Sequence, residues 1–141
     1  MIKLQDVKSS AAAAGACGKL SGVHDWKGLC RLFFSPQGVE FCEHRNFPSL
    51  ELFRSIKSRV ARYGFQVDAG EIVRENDGCI ALVGDTQAKL TFFDPTRVHK
   101  VVLMHGAKAE ITATGYAVVR LINIGNCEVK INKQEHAVIL N

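Results

Sequence analysis

The chain has little that would carry chemistry by motif. Its five cysteines, Cys17, Cys30, Cys42, Cys79 and Cys127, are odd in number, widely spaced and without a CxxC pair. That pattern excludes a disulfide framework and fits a reducing compartment. No apolar run approaches the ~18 residues a bilayer-spanning helix needs, so no membrane association is expected. The opening Met1-Ile2-Lys3-Leu4-Gln5-Asp6 lacks a charged-then-apolar leader, and the alanine-rich stretch 11–16 is too short and weakly apolar for an h-region. The expected site of synthesis and residence is therefore a cytoplasm. There is no phosphate-cradling glycine loop and no Asp-rich calcium repeat.

What is present is ordinary globular composition, 47% hydrophobic and 23% charged, in 141 residues. That suits one domain or two small units and is not the composition of a disordered chain. Charge is uneven. Residues 1–64 carry ten Lys/Arg against five Asp/Glu, whereas residues 65–141 carry eight against nine. The basic excess belongs to the first half and is modest for a nucleic-acid binder.

The second half repeats a short phrase. Ala88-Lys89-Leu90-Thr91-Phe92, Ala109-Glu110-Ile111-Thr112-Ala113 and Cys127-Glu128-Val129-Lys130-Ile131 each begin with a small residue and then alternate polar and apolar. Apolar runs lie between and after them, including Val101-Val102-Leu103-Met104, Ala117-Val118-Val119-Arg120-Leu121 and Ala137-Val138-Ile139-Leu140. Two strands per unit of roughly 20 residues predict a short β-solenoid (β-helix). Regular turns also occur in sandwiches. A small residue at the same point of each phrase favours stacked rungs, because stacking puts equivalent side chains above one another. Leu90, Ile111 and Val129 are expected on one interior line, and Glu110 and Glu128 at equivalent outward positions.

The first half reads as helix. An Ala-rich helix begins near residue 3 and fades at Gly15 or Gly18. Asp25 can cap a helix from Trp26 to Phe34, and Ser35-Pro36 starts another. Asn46 or Ser49 can cap a helix over 50–63 that Gly64 ends. Trp26, Phe33, Phe41, Phe53 and Ile56 are the expected core of this part. The fold class is thus α+β, a helical unit over 1–66 followed by a solenoid-like stack over 67–141. The helical unit is expected to close one end of the stack, since an open β edge invites pairing.

Several side-chain groups could in principle carry chemistry. Cys42 and His44, with Cys30 and Cys17 upstream, lack the close ligand pairs of a zinc site, so no metal is expected. Cys79 and Cys127 sit in strand-like contexts where a free thiol acts as a small hydrophobe, and a Cys/His nucleophile would need an exposed thiol beside an imidazole. His99 and His105 flank an apolar strand on one face and could meet a ligand. Arg54, Lys57 and Arg62 of the fourth helical segment could form an interface, or contact phosphates with Lys19, Lys27, Arg31 and Arg45. The expectation is a solvated basic face, with nucleic acid not a partner. No catalytic residue and no cofactor are expected.

The run Leu32-Phe33-Phe34-Ser35-Pro36-Gln37-Gly38-Val39-Glu40-Phe41-Cys42, the following Asn46-Phe47-Pro48-Ser49, and the later stretches 81–92 and 103–119 resemble small uncharacterised proteins of gut-bacterial phages and prophages. The resemblance spans about residues 11–140. It implies a viral setting and a helix-then-rung layout, and it transfers no activity. Together these readings favour a non-enzymatic phage structural or assembly protein, a virion- or tail-associated scaffold or docking module. It would work as a homo-oligomer or in a larger phage assembly with protein partners, in the virion or the host cytoplasm. The alternative is a phage-encoded intracellular protein that binds a host factor or sequesters a small ligand.

Overall fold

A computed structural model describes residues 2–16 and 18–141. They form two compact units, one ending at Phe65 and the other running from Gln66 to Asn141. The architecture is α+β, with helices first and then parallel strands wound as a β-solenoid of roughly four turns.

The helical unit contains α1 (Leu4–Ala13), α2 (Trp26–Phe34), α3 (Pro36–Arg45) and α4 (Leu50–Val60), with 3-10 turns at Gly18–Gly22 and Ala61–Tyr63. Its boundaries follow from caps. Asp25 Oδ1 accepts the Gly28 N–H at 2.7 Å at the start of α2. Ser35 accepts the Gly38 N–H at 3.1 Å, with Pro36 in the first turn of α3. Ser49 accepts the Leu52 N–H at 3.1 Å at the start of α4. Each satisfies a donor the helix itself cannot pair. Gly64, at φ 97°, closes the last 3-10 turn in the left-handed region open to glycine. The direct contact between α2 and α3 is made possible by Gly38, where an added Cβ would lie 1.8 Å from the Leu32 carbonyl oxygen.

Phe53, Ile56 and Val60 recur at spacings of three and four and are buried, as are Phe33, Phe34 and Leu29 of α2. Phe65 gathers the aromatic part of this core, with ring centroids 4.8 Å from Phe34, 5.8 Å from Phe53 and 6.0 Å from Phe33. Such pairs add about 0.5–1.5 kcal/mol beyond burial. Trp26 and Phe41, expected in the core, are only half-buried. The inward stripe of α2 runs through the i, i+4 pairs Leu29–Phe33 and Cys30–Phe34, which leaves Trp26 at the rim of the first turn.

The solenoid has nine strands: β1 (Phe65–Val67), β2 (Gly70–Glu75), β3 (Cys79–Val83), β4 (Thr86–Phe92), β5 (Val98–Met104), β6 (Lys108–Ala113), β7 (Val118–Asn123), β8 (Glu128–Lys133) and β9 (Val138–Leu140). Odd strands form one sheet in the order β1-β3-β5-β7-β9, and even strands the other, β2-β4-β6-β8. From β2 onward every neighbouring pair is parallel. Inward side chains of the two sheets share one core that includes Ile80, Leu82, Leu90, Val101, Leu103 and Ile111. Fully burying each such side chain contributes about 1.5–3 kcal/mol.

The register corrects part of the repeat reading. Leu90 and Ile111 do stack, but the next residue on that line is Ile131. Val129 lies instead on the line of Ala88 and Ala109. The third phrase is displaced by two residues because Cys127 belongs to the preceding corner, where its N–H donates to Asn123 Oδ1 at 2.7 Å. A shift of two keeps side-chain parity, so Val129 and Ile131 still face inward. Glu110 and Glu128 are not equivalent: Glu110 pairs with Lys89 and Lys130, and Glu128 with Lys108.

Candidate functional site

The turns 76–78 and 93–97 form the densest polar corner of the solenoid. Asn76, at φ 56°, accepts the N–H groups of Phe93 and Asp94 on Oδ1 at 2.8 and 3.1 Å. Asp94 accepts from the Thr96 hydroxyl at 2.6 Å and from its N–H at 2.9 Å. These bonds, with Arg97 and His99 nearby, hold the Asp94 carboxyl below its ordinary value. Arg97 donates to the Asn76 carbonyl at 2.8 Å, and Arg74 pairs with Asp77 at 3.0 Å.

His99 lies inside this corner, fully buried, on the interior line of Val119 and Ile139. Its Nδ1 is 3.0 Å from the Asp77 carbonyl oxygen and its Nε2 is 2.9 Å from that of Asp94. Its ring packs on Phe92 at 4.9 Å between centroids. A neutral imidazole can donate to one of those carbonyls, and an imidazolium to both. Either way both ring nitrogens face backbone. The expectation that His99 could meet a ligand is therefore corrected: its ring ties two turns together.

His105 follows β5 at a corner, with φ 55°. Six residues along an extended strand separate it from His99, on the order of 20 Å, so the two do not share a site. Arg54 and Lys57 are exposed on α4, and Arg62 lies in the following turn with its guanidinium 5.5 Å from the centre of the Tyr63 ring. That geometry suits a cation–π contact.

The cysteines divide by burial. Burial pushes the Cys30 and Cys42 thiols up to about 12, which leaves them protonated and unreactive near neutrality. His44, two residues on, is exposed and lies 3.8 Å from Glu40. Cys17 lies outside the described residues. Among the described residues no group of three or more His, Cys, Asp and Glu is placed to hold a metal. Cys127 is buried, its Sγ 3.5 Å from the Ile124 carbonyl oxygen. Cys79, read from sequence as an apolar position, is exposed, because its position at the start of β3 opposite Lys100 points outward.

The outer face of the even sheet holds a shallow depression of about 370 Å³ between Gln87, Lys89, Lys108, Glu110, Glu128 and Lys130. Opposite charges alternate from rung to rung, and Lys108 Nζ lies 3.6 Å from Glu128. At exposed positions such pairs contribute about 0–1 kcal/mol. This is a solvated mixed-charge face.

The outermost strands differ in kind. Ile131 occupies the same interior line as Ile111, yet it is 42% exposed where Ile111 is 0%. On β9, the last strand of the odd sheet, Val138 and Leu140 are 42% and 47% exposed, on the outward lines of Val118 and Arg120. At the other edge of the even sheet, Val73 of β2 is 77% exposed. Ile131 is thus open because its rung has a neighbour on one side only, whereas Val73, Val138 and Leu140 are open because they face outward, as Val98 of the inner strand β5 does. Sequence pattern could not single out Ile131, since it continues the alternation of the inner rungs. A stacked pair also marks one corner, Tyr116 over His136 at 4.7 Å with ring planes 13° apart.

The helical unit has an open cleft of about 270 Å³ lined by Ile2, Lys3, Leu4, Trp26 and Arg59. Trp26, expected in the core, lines this cleft instead, its place directly after the cap residue Asp25 setting it at a helix rim. Comparison of the chain with protein-family models, with curated proteins and with solved structures gives no match.

Proposed function

We propose that this chain is a non-enzymatic phage structural or assembly protein, in which the solenoid is a rigid docking body that joins copies of itself or a larger particle. The observation that carries the reading is the 42% exposure of Ile131 on the outermost even strand, against the full burial of its counterpart Ile111 one rung in, with the outward-facing Val138 and Leu140 also exposed on β9. A strand edge with unpaired backbone and open apolar side chains is a template for another chain. The phage setting is supported by the resemblance of stretches 32–49, 81–92 and 103–119. The absence of a catalytic role is a proposal supported by the use of His99 as a turn clasp and by the burial of the Cys127 thiol. No cofactor and no nucleic-acid partner enter it. Mass spectrometry of purified particles tests the proposal: the protein in stoichiometric amounts supports it, and its confinement to the host cytoplasm refutes it.

A second reading is favoured by one observation, the cleft beside Trp26. In that reading the chain is an intracellular phage protein that sequesters a small ligand.

A further inference from the structure

The two end strands of the even sheet, β2 and β8, are protected differently. One interior line runs from edge to edge through Arg74, Leu90, Ile111 and Ile131. At the β2 end it closes on a guanidinium, paired with Asp77 at 3.0 Å. A charge on an inward line guards a strand edge against pairing. At the β8 end the same line closes on Ile131, 42% exposed. Lys133 lies on the neighbouring inward line of Ala113, at the far end of the strand. The backbone of β8 is open along the same edge. The Gln134 N–H donates to the Ala113 carbonyl at 2.9 Å, and Ala113 is the partner of Lys133. Successive residues of a strand direct their backbone groups to opposite sides. The even-numbered residues of β8 therefore bond to β6, while Val129, Ile131 and Lys133 turn N–H and C=O to the open side.

We infer, on the docking role proposed above, that a second copy of this chain docks on this edge, β8 antiparallel to β8, about a two-fold axis at Ile131. Side chains directly opposite in an antiparallel pair share a face, so inward residues must meet inward residues. An axis at Ile131 sets Ile131 against Ile131, Val129 against Lys133, and Lys130 against Asn132. Val129, Ile131 and Lys133 then exchange about six backbone hydrogen bonds with the second copy, two for each facing pair. The apolar line runs on through Ile131 into the second copy, the Lys133 stem covers Val129, and no like charges are opposed. Moving the axis to Lys130 opposes two lysines. Moving it to Val129 sets Ile131 against Cys127, whose N–H and C=O are already bound by the Asn123 side chain. Moving it to Asn132 sets Val129 against Glu135, beyond the end of the strand. A head-to-tail stack would place β8 on β2 of the next copy and press apolar residues against the Arg74 guanidinium, so the assembly closes at two copies.

The test uses the full-length protein with Cys17→Ser and Cys79→Ser, which leaves the buried Cys30, Cys42 and Cys127. Glu128→Cys, Lys130→Cys and Asn132→Cys each add one thiol on the outward side of β8, and circular dichroism checks each fold. These proteins are mixed in pairs, one of each pair carrying a mass tag, at the concentration where the parent gives its highest mass by light scattering. They are then oxidised with diamide and separated on a non-reducing gel. A disulfide needs Cα atoms within about 7 Å, and residues facing one another in a non-hydrogen-bonded antiparallel pair stand about 4.5 Å apart. The expected result is a parent mass of two chains, with Lys130→Cys joined to Asn132→Cys as the main product and little product from either alone. Lys130→Cys joined to itself, or Glu128→Cys joined to Lys130→Cys, places the axis elsewhere and overturns the inference. So does a dimer that yields no cross-link, or a mass that grows beyond two chains. Each of these results leaves the docking role standing. A chain that stays monomeric also overturns the inference; its presence in purified particles would then keep the docking role, and its absence from them would remove that role as well.

Discussion

Truncating two isoleucines on one interior line tests the solenoid register and its open edge together. Ile111 and Ile131 are Cα partners on adjacent rungs, so they differ in burial and not in kind. Replacing isoleucine by alanine removes three carbon groups, worth about 0.8 kcal/mol each when fully buried, or about 2.4 kcal/mol. At Ile111, which is 0% exposed and lies between Leu90 and Ile131, the void adds to that figure. The whole cost should then be about 3 kcal/mol, within the usual 2–5. At Ile131, 42% exposed, only a little over half of the transfer term applies, about 1.4 kcal/mol, and the gap opens to solvent without sealing a cavity. Urea titrations followed by circular dichroism, at low protein concentration and with unchanged slopes, would read both values. Equal costs at the two positions, or costs below about 1 kcal/mol at both, would refute the stacking argument. If the cost at Ile131 rises with protein concentration, the residue is being covered by another copy.

Close contacts, buried hydrogen bonds and thiol burial each set a further outcome. Gly38→Ala should lower helical-unit stability by about 3 kcal/mol or more, because the Cβ would overlap the Leu32 carbonyl oxygen at 1.8 Å; a thermal melt at 222 nm reads it, and an unchanged midpoint would contradict the close α2–α3 contact. His99→Leu should cost about 1–3 kcal/mol by leaving the Asp77 or Asp94 carbonyl without its donor, with faster amide exchange in turns 76–78 and 93–97 as the diagnostic sign. The thiols give a pH test: burial raises Cys30 and Cys42 from 9.0 to about 12, so the folded chain keeps protons that the unfolded chain loses. Their contribution is complete below about 9 and is lost as pH rises towards about 12, a decline that Cys30→Ala with Cys42→Ala should flatten. Iodoacetamide at neutral pH should modify exposed Cys79 well before either.

Much of the architecture was legible in the chain. The caps Asp25, Ser35 and Ser49 stand at the helix starts they were read for, because each is a local rule satisfied by a local bond. The rung repeat was legible through its period-two alternation, and parity survived even where register did not. The third phrase was misaligned because a solenoid corner may take up or release residues without changing which side chains face inward. That difference is visible only in the Asn123–Cys127 bonds of the turn. His99 was misread for a related reason. Its place in β5 is an interior one, but its burial is possible only because Asp77 and Asp94, 22 and five residues away, present carbonyl oxygens to its ring. Pattern reports which way a side chain points, and not what waits there. Neither the openness of Ile131 nor the cleft at Trp26 has a local signature, since both arise from which elements do and do not cover a neighbour.

The central proposal, that the open strand edges join this chain to other copies or to a particle, is tested most directly by light scattering on the purified full-length protein over a wide range of concentrations. It should be run beside an Ile131→Lys, Leu140→Lys variant. The expected result is a mass that rises with concentration to a multiple of 15.5 kDa in the parent chain and stays at 15.5 kDa in the variant, with the same circular dichroism for both. A parent chain that remains at 15.5 kDa at the highest concentration, and is absent from purified particles, would contradict the docking role and leave the ligand-binding reading in its place.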